Sequence, residues 1–117
     1  MKTDYRTARS FLFAPGNHER RAAKVFQSGA DVAILDLEDA VAIDEKVAAR
    51  AAVVGALQVP RPCLGFVRIN SPDTDWCWGD LQAVVGPALD GLLVPKAEEA
   101  AALQALDWVL TQLERER

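Results

Sequence analysis

Four short, nearly continuous apolar runs punctuate this chain, and each is followed by a longer segment with helical apolar spacing. The runs are Phe11 to Ala14, Val32 to Leu37, Leu64 to Ile69 and Gly91 to Val94. Strands that do not alternate polar and apolar residues suit a parallel sheet covered by helices on its faces. Four βα units in series therefore predict an α/β fold, either an open sheet or part of a (β/α)8 TIM barrel. A whole barrel takes about 250 residues, and this chain has 117. Periodicity does not choose between the two architectures. No linker or low-complexity tract divides the sequence, so residues 1–117 are expected to form one domain.

The intervening segments carry recognisable punctuation. Asn17 after Pro15-Gly16 is the expected N-cap of a first helix with Ala22, Val25 and Phe26 on its apolar face. Gly29 suits a left-handed C-cap. Asp44 is the expected N-cap of a second helix, with Val47, Ala51 and Val54 on one face, and Pro60 and Pro62 prevent its continuation. Asp75 or Asp80 opens a short third helix with Leu81, Val84 and Val85. Leu103, Leu106, Leu110 and Leu113 make the clearest helical stripe.

Composition narrows the function classes. With 50% hydrophobic residues the chain is too apolar for a disordered segment. No apolar run reaches the roughly 18 residues that a membrane span needs. Lys+Arg number 13 against 17 Asp+Glu, a net charge of -4, which is no electrostatic footprint for nucleic acid. Residues 1–10 carry Lys2, Asp4, Arg6 and Arg9 rather than a secretory signal, and the expected location is the cytoplasm. Cys63 and Cys77 are too few and too far apart for a zinc knuckle or a redox pair. They are read as two reduced thiols. His18, beside a helix start among Arg20, Arg21 and Lys24, is read as a solvated surface residue, with small anions as possible partners of that basic patch.

In parallel α/β folds the loops after the strand C-termini build the site. Three of the four strand ends place charge where the apolar run stops: Asp36-Leu37-Glu38-Asp39, Arg68-Ile69-Asn70-Ser71 and Pro95-Lys96. Asp36 and Glu38 are two apart, so they share one side of the strand, while Leu35 and Leu37 face the helices. Two carboxylates on an inner strand face need a cation or donor to offset desolvation. They organise a site around Mg²⁺, water or an arginine, or they form ion pairs with Arg68 or Lys96 or cap the next helix. Leu64, Phe66 and Arg68 share a face opposite Val67 and Ile69, and Arg68 offers a planar fork for a carboxylate or carbonyl oxygen. It either serves a ligand or balances Asp36 or Glu38, and both roles are compatible. Lys96 is a site residue or a helix-flanking surface lysine. Trp76 and Trp78 around Cys77 either lid a pocket or pack the third βα loop.

Taken together these segments resemble the citrate lyase beta-subunit family, with malyl-CoA and citramalyl-CoA lyases, in the HpcH/HpaI aldolase superfamily. The string Arg9 to Asn17 resembles the family's opening, and Ile34-Leu35-Asp36-Leu37-Glu38-Asp39-Ala40-Val41 its most recognisable segment. Lys46 with Ala49-Arg50, then Val67-Arg68-Ile69-Asn70-Ser71, Asp80-Leu81 and Gly91-Leu92-Leu93-Val94-Pro95-Lys96 continue the likeness in order, to about Leu113.

The resemblance implies half of a (β/α)8 TIM barrel. It also implies Mg²⁺-dependent cleavage or formation of a carbon–carbon bond next to a CoA or acyl-carrier-protein thioester, through an enolate of the acyl group. By position Arg68 corresponds to the family's substrate-binding arginine. Glu38 and Asp39 correspond to catalytic acidic residues near the metal and its waters. Asp36 and Lys96 join Arg68 in substrate binding, and Arg9 lies in the region that meets the CoA or carrier-protein arm. The family's direct metal ligands, a glutamate and an aspartate, sit on later strands, so the magnesium ligands are expected beyond residue 117. The chain alone is therefore expected to be inactive. It is also expected to associate, as a homo-oligomer or with a C-terminal half. Two alternatives stand beside the lyase: a catalytically inactive half-barrel that serves assembly or binding, and a pyruvate-enolate aldolase without CoA.

Overall fold

The structure is a computed structural model and describes residues 4–117; Lys2, one of the N-terminal charges noted above, lies outside the described residues. Strands and helices alternate as the apolar pattern requires. They are β1 (Phe11–Pro15), α1 (Glu19–Phe26), β2 (Val32–Asp36), α2 (Lys46–Gln58), β3 (Leu64–Arg68), α3 (Cys77–Val84), β4 (Gly91–Leu93) and α4 (Ala100–Glu116). The sheet order is β1-β2-β3-β4 and every pair is parallel. A doubly wound sheet reverses its strand order at a switch point. Here consecutive strands are neighbours throughout, as in a (β/α)8 barrel, so topology makes the choice that periodicity left open.

All five residues of the central strand β2 are buried, because it has neighbours on both edges and side chains packed on both faces. Ala33, Leu35, Leu37, Val67 and Ile69 point to the helix layer, into a core with Ala22, Phe26, Ala49, Val53 and Leu57. Val32, Ile34 and Leu64 form a smaller cluster on the other face, with Phe66 and Leu93 packed against it. On that second face the register sets Asp36 beside Arg68, with Pro15 on the other side of Asp36. The sheet thus brings three loop-bearing strand ends to one place.

Local punctuation departs from the sequence pattern in instructive ways. His18, not Asn17, caps α1: its Nδ1 accepts from the Arg21 N–H at 3.2 Å, and Asn17 instead donates to Glu45 at 2.6 Å. Gly29 does adopt a left-handed conformation, with φ 88°. Asp44 is not an N-cap; a 3-10 turn over Ile43–Glu45 leads into α2, and no side chain caps that helix. The buried stripe of α2 is Lys46, Ala49, Val53 and Leu57, whereas Val47 is 63% exposed. Ala49, Val53 and Leu57 fall at steps of four, but the lysine at the head of this face and the apolar Val47 beside it drew the expected face elsewhere. In α3 neither aspartate is the cap: the helix starts at Cys77, and Asp80 in its first turn is wholly buried. Along α4, Leu106 and Leu113 are buried while Leu103 is exposed.

Candidate functional site

The C-terminal ends of β2 and β3 hold a compact cluster of charge. Asp36, 1% exposed, receives Arg68 Nε on Oδ1 at 2.9 Å and Arg68 Nη2 on Oδ2 at 2.7 Å. The backbone N–H groups of Glu38 and Ala40 donate to the same carboxylate at 2.8 and 3.0 Å. Burial pushes the Asp36 carboxyl upward, but the Arg68 and backbone hydrogen bonds outweigh it and hold the group below the usual carboxylate range. The Asp36 hydrogen bond in turn fixes Arg68 more firmly as the cation.

Glu38 follows on the same side, as the two-residue spacing predicts. Its Oε1 lies 3.5 Å from Arg68 Nε and its Oε2 3.7 Å from Lys96 Nζ. The Arg68 guanidinium carbon stands 4.8 Å from the centroid of the Phe13 ring, so β1 contributes an aromatic platform. Lys96 is exposed and has φ 53°, the left-handed region that a lysine rarely occupies. That turn carries its side chain back toward Glu38. Asp39 is exposed at the rim and adds favourable charge toward Arg68 without a direct bond.

Asp36, Glu38, Arg68 and Lys96 are therefore brought together, with Asp39 at the edge. Arg9 is not: its backbone N–H donates to Asp31 at 2.8 Å, at the opposite end of the sheet from Arg68. The arrangement can hold an anionic or carbonyl oxygen. Asp36 occupies the Nε and Nη2 side of the guanidinium, and Nη1 makes no hydrogen bond among the described residues. A fork held rigidly on one edge and open on the other is preorganised for a planar oxygen ligand.

The donor set does not make a magnesium site. Both Asp36 oxygens are engaged by donors, and Glu38 faces two cations. Among the described residues no group of three His, Cys, Asp or Glu side chains is placed to hold a metal ion. The cysteines do not add a nucleophile: both are buried, and burial pushes the Cys77 thiol up, away from its thiolate.

Beneath the cluster lies a second set of polar groups that composition and spacing did not single out. Lys46, 6% exposed, donates to Leu37 O at 3.0 Å and Glu38 O at 2.8 Å. Asn70 donates to Leu37 O at 3.0 Å and to Asp80 at 2.7 Å, and Arg50 Nε donates to Asp80 at 2.9 Å. In the sequence Lys46 and Arg50 stood out only through the family resemblance, Asn70 as part of a strand end and Asp80 as a candidate helix start. The one available clue was the spacing 46, 49, 53, 57, which puts Lys46 on the face of α2 that Val53 must bury.

Consecutive parallel βα units in sequential strand order, with a paired arginine and carboxylates at the strand C-termini, define a chain of the (β/α)8-barrel type. The chain belongs to the HpcH/HpaI aldolase/citrate lyase family, whose model matches residues 9–117. It is 43% identical over 100 residues to a (3S)-malyl-CoA thioesterase of Cereibacter sphaeroides, covering 84% of this chain and 35% of that protein. It is 38% identical over 112 residues to the citrate lyase beta subunit of Escherichia coli, covering 94% of this chain and 37% of that one. Among solved structures it is similar to CitE of Mycobacterium tuberculosis in complex with magnesium and acetate. That likeness has TM-score 0.76 and 40% identity, over 89% of this chain and 43% of CitE. A CitE complex with magnesium, acetoacetate and coenzyme A matches with TM-score 0.71 and 40% identity, over 86% of this chain and 37% of that one. The chain thus spans little more than a third of the length of these curated relatives.

Proposed function

We propose that this chain is the N-terminal part of a magnesium-dependent carbon–carbon lyase acting on a CoA or acyl-carrier-protein thioester of the citryl, malyl or citramalyl type. The observation that carries the reading is the Arg68 fork, clamped on Asp36 and open at Nη1 at the mouth of the sheet. In such a cleavage the bond between the thioester's α-carbon and its hydroxyl-bearing β-carbon breaks as a base takes the hydroxyl proton. The hydroxyl becomes the new carbonyl, and the electron pair passes to the thioester carbonyl oxygen as an enolate that is then protonated at carbon. Charge also has to be held on the carboxylate or new carbonyl of the departing acid. Arg68 binds those oxygens, Glu38 and Lys96 set the charge around them, and Asp39 borders the entrance. Magnesium, present in the CitE complexes, enters as a cofactor whose direct ligands lie outside the residues described above. An organisation as a homo-oligomer, or with a C-terminal half, belongs to the same reading.

In a full-length relative that carries this arginine, Arg68→Lys is expected to lower turnover by about 10²-fold, because a point charge does not copy a clamped fork. Unchanged kinetics would remove Arg68 from the reaction.

A second reading is favoured by the name of one relative, a thioesterase at 43% identity. Products separate the two. Carbon–carbon cleavage leaves the thioester intact and creates a new carbonyl compound, whereas hydrolysis frees a thiol. Thiol release without carbonyl formation would assign the family's hydrolytic branch.

A further inference from the structure

Lys46 is a buried ammonium whose partners are not acids. No carboxylate pairs with it among the described residues. Its Nζ is held by the carbonyls of two successive residues, Leu37 and Glu38, and stands 5.6 Å from the centre of the Trp76 ring. An apolar side chain at the head of the α2 stripe would pack there without desolvating a charge. What the lysine adds is a fixed position for the two peptides on either side of Glu38.

Those peptides govern the site. The Glu38 N–H that donates to Asp36 belongs to the peptide whose carbonyl, Leu37 O, Lys46 grips. The Leu37 N–H donates to Arg68 O at 2.9 Å. Asn70 reaches the same Leu37 carbonyl from the β3 side and is itself held by Asp80 and, through it, Arg50. Arg50 also donates to Trp76 O at 3.0 Å, which closes the ring of contacts on the residue beside Lys46. Two loops and two helices are tied together around one backbone segment.

We propose that Lys46 is a positioning residue: by clamping the Leu37 and Glu38 carbonyls it aims the Asp36 and Glu38 carboxylates at Arg68. Its significance for catalysis rests on the reading of Arg68 given above, but its structural effect is measurable without substrate. The readout is the exchange rate of the Arg68 Nε–H in the full ¹⁵N-labelled chain, assigned by its loss in Arg68→Lys. Backbone amides of Val53 and Leu106 report the fold.

In Lys46→Met the Arg68 Nε–H is expected to exchange on the order of tenfold faster, with the Val53 and Leu106 amides unchanged, as for a local opening. Lys46→Gln, which keeps a donor for one carbonyl, is expected to fall between and serves if the methionine variant does not fold. A wild-type Arg68 rate in a folded variant overturns the proposal. So does an acceleration shared equally by Val53 and Leu106, or failure of both variants to fold, since each assigns Lys46 to the fold alone. A lyase assay that found no activity would leave this measurement intact.

Discussion

Asp36 carries more of the site than any other residue, because four donors converge on one buried carboxylate. Removing a partner from such a buried set leaves the rest uncompensated. Asp36→Asn turns one acceptor into a donor that faces Arg68 or a backbone N–H, and should cost about 3 kcal/mol in urea unfolding. The same residue predicts a pH effect. Its carboxyl is held lower in the folded chain than its ordinary value of 3.8. The stabilisation is therefore present above that value and is lost as pH falls through the folded pKa. The stability gap between wild type and Asp36→Asn should be constant from pH 7 to about 5. It should shrink below about pH 4, as denaturation midpoints at several pH values would show.

At the scale of elements, the β1–α1 turn and the buried face of α2 are the sensitive features. Gly16 lies where the chain passes the end of β2: its N–H donates to Asp36 O at 2.8 Å. A Cβ there would meet that carbonyl oxygen at 2.7 Å and Val53 Cγ2 at 2.6 Å. The oxygen belongs to the strand end that holds the site and cannot retreat freely. Gly16→Ala should therefore cost about 1–3 kcal/mol and loosen the Asp36–Arg68 pair. For α2, Val53→Ala should cost about 2 kcal/mol, because its side chain is fully buried, while Val47→Ala should stay within about 0.5 kcal/mol. Equal effects would mean that the helix is rotated from the face described here.

The whole molecule presents a sheet whose outer strands, β1 and β4, have no further strand beside them among the described residues. Phe11, Leu12 and Phe13 are about half exposed on β1, at 47%, 47% and 48%. Apolar edges of this kind pair readily with another chain. Light scattering of the 117-residue chain at micromolar concentration should show species larger than a monomer. Incubated with a malyl or citramalyl thioester and magnesium, the chain alone should give no EDTA-sensitive cleavage, because Asp36 and Glu38 already face cations and no group of three ligating side chains among the described residues is placed to hold a metal ion. Cleavage abolished by EDTA would mean that Asp36, Glu38 or Asp39 binds the metal directly.

Much of this protein is determined locally and so is legible in the chain itself. Continuous apolar runs give four parallel strands, although only β2 is buried along its whole length. Two-residue parity put Asp36 and Glu38 on one side of their strand and Arg68 with Leu64 and Phe66 on one side of theirs, and the parallel register then set Asp36 beside Arg68. The Asp36–Glu38–Arg68 convergence followed from both. What tertiary structure decided were the properties that depend on which neighbour is nearest. Strand order chose the barrel over the open sheet. The placement of Asn17 against Glu45 left the capping of α1 to His18. Two carbonyls at the end of β2 drew Lys46 inward and turned α2 onto Ala49, Val53 and Leu57. Arg9 ended at the far side of the sheet, because a strand's two ends are separated by its length however close they lie in sequence. Hydropathy describes a residue's cost in an average interior, and Lys46 is buried because its own surroundings supply the acceptors that an average interior lacks.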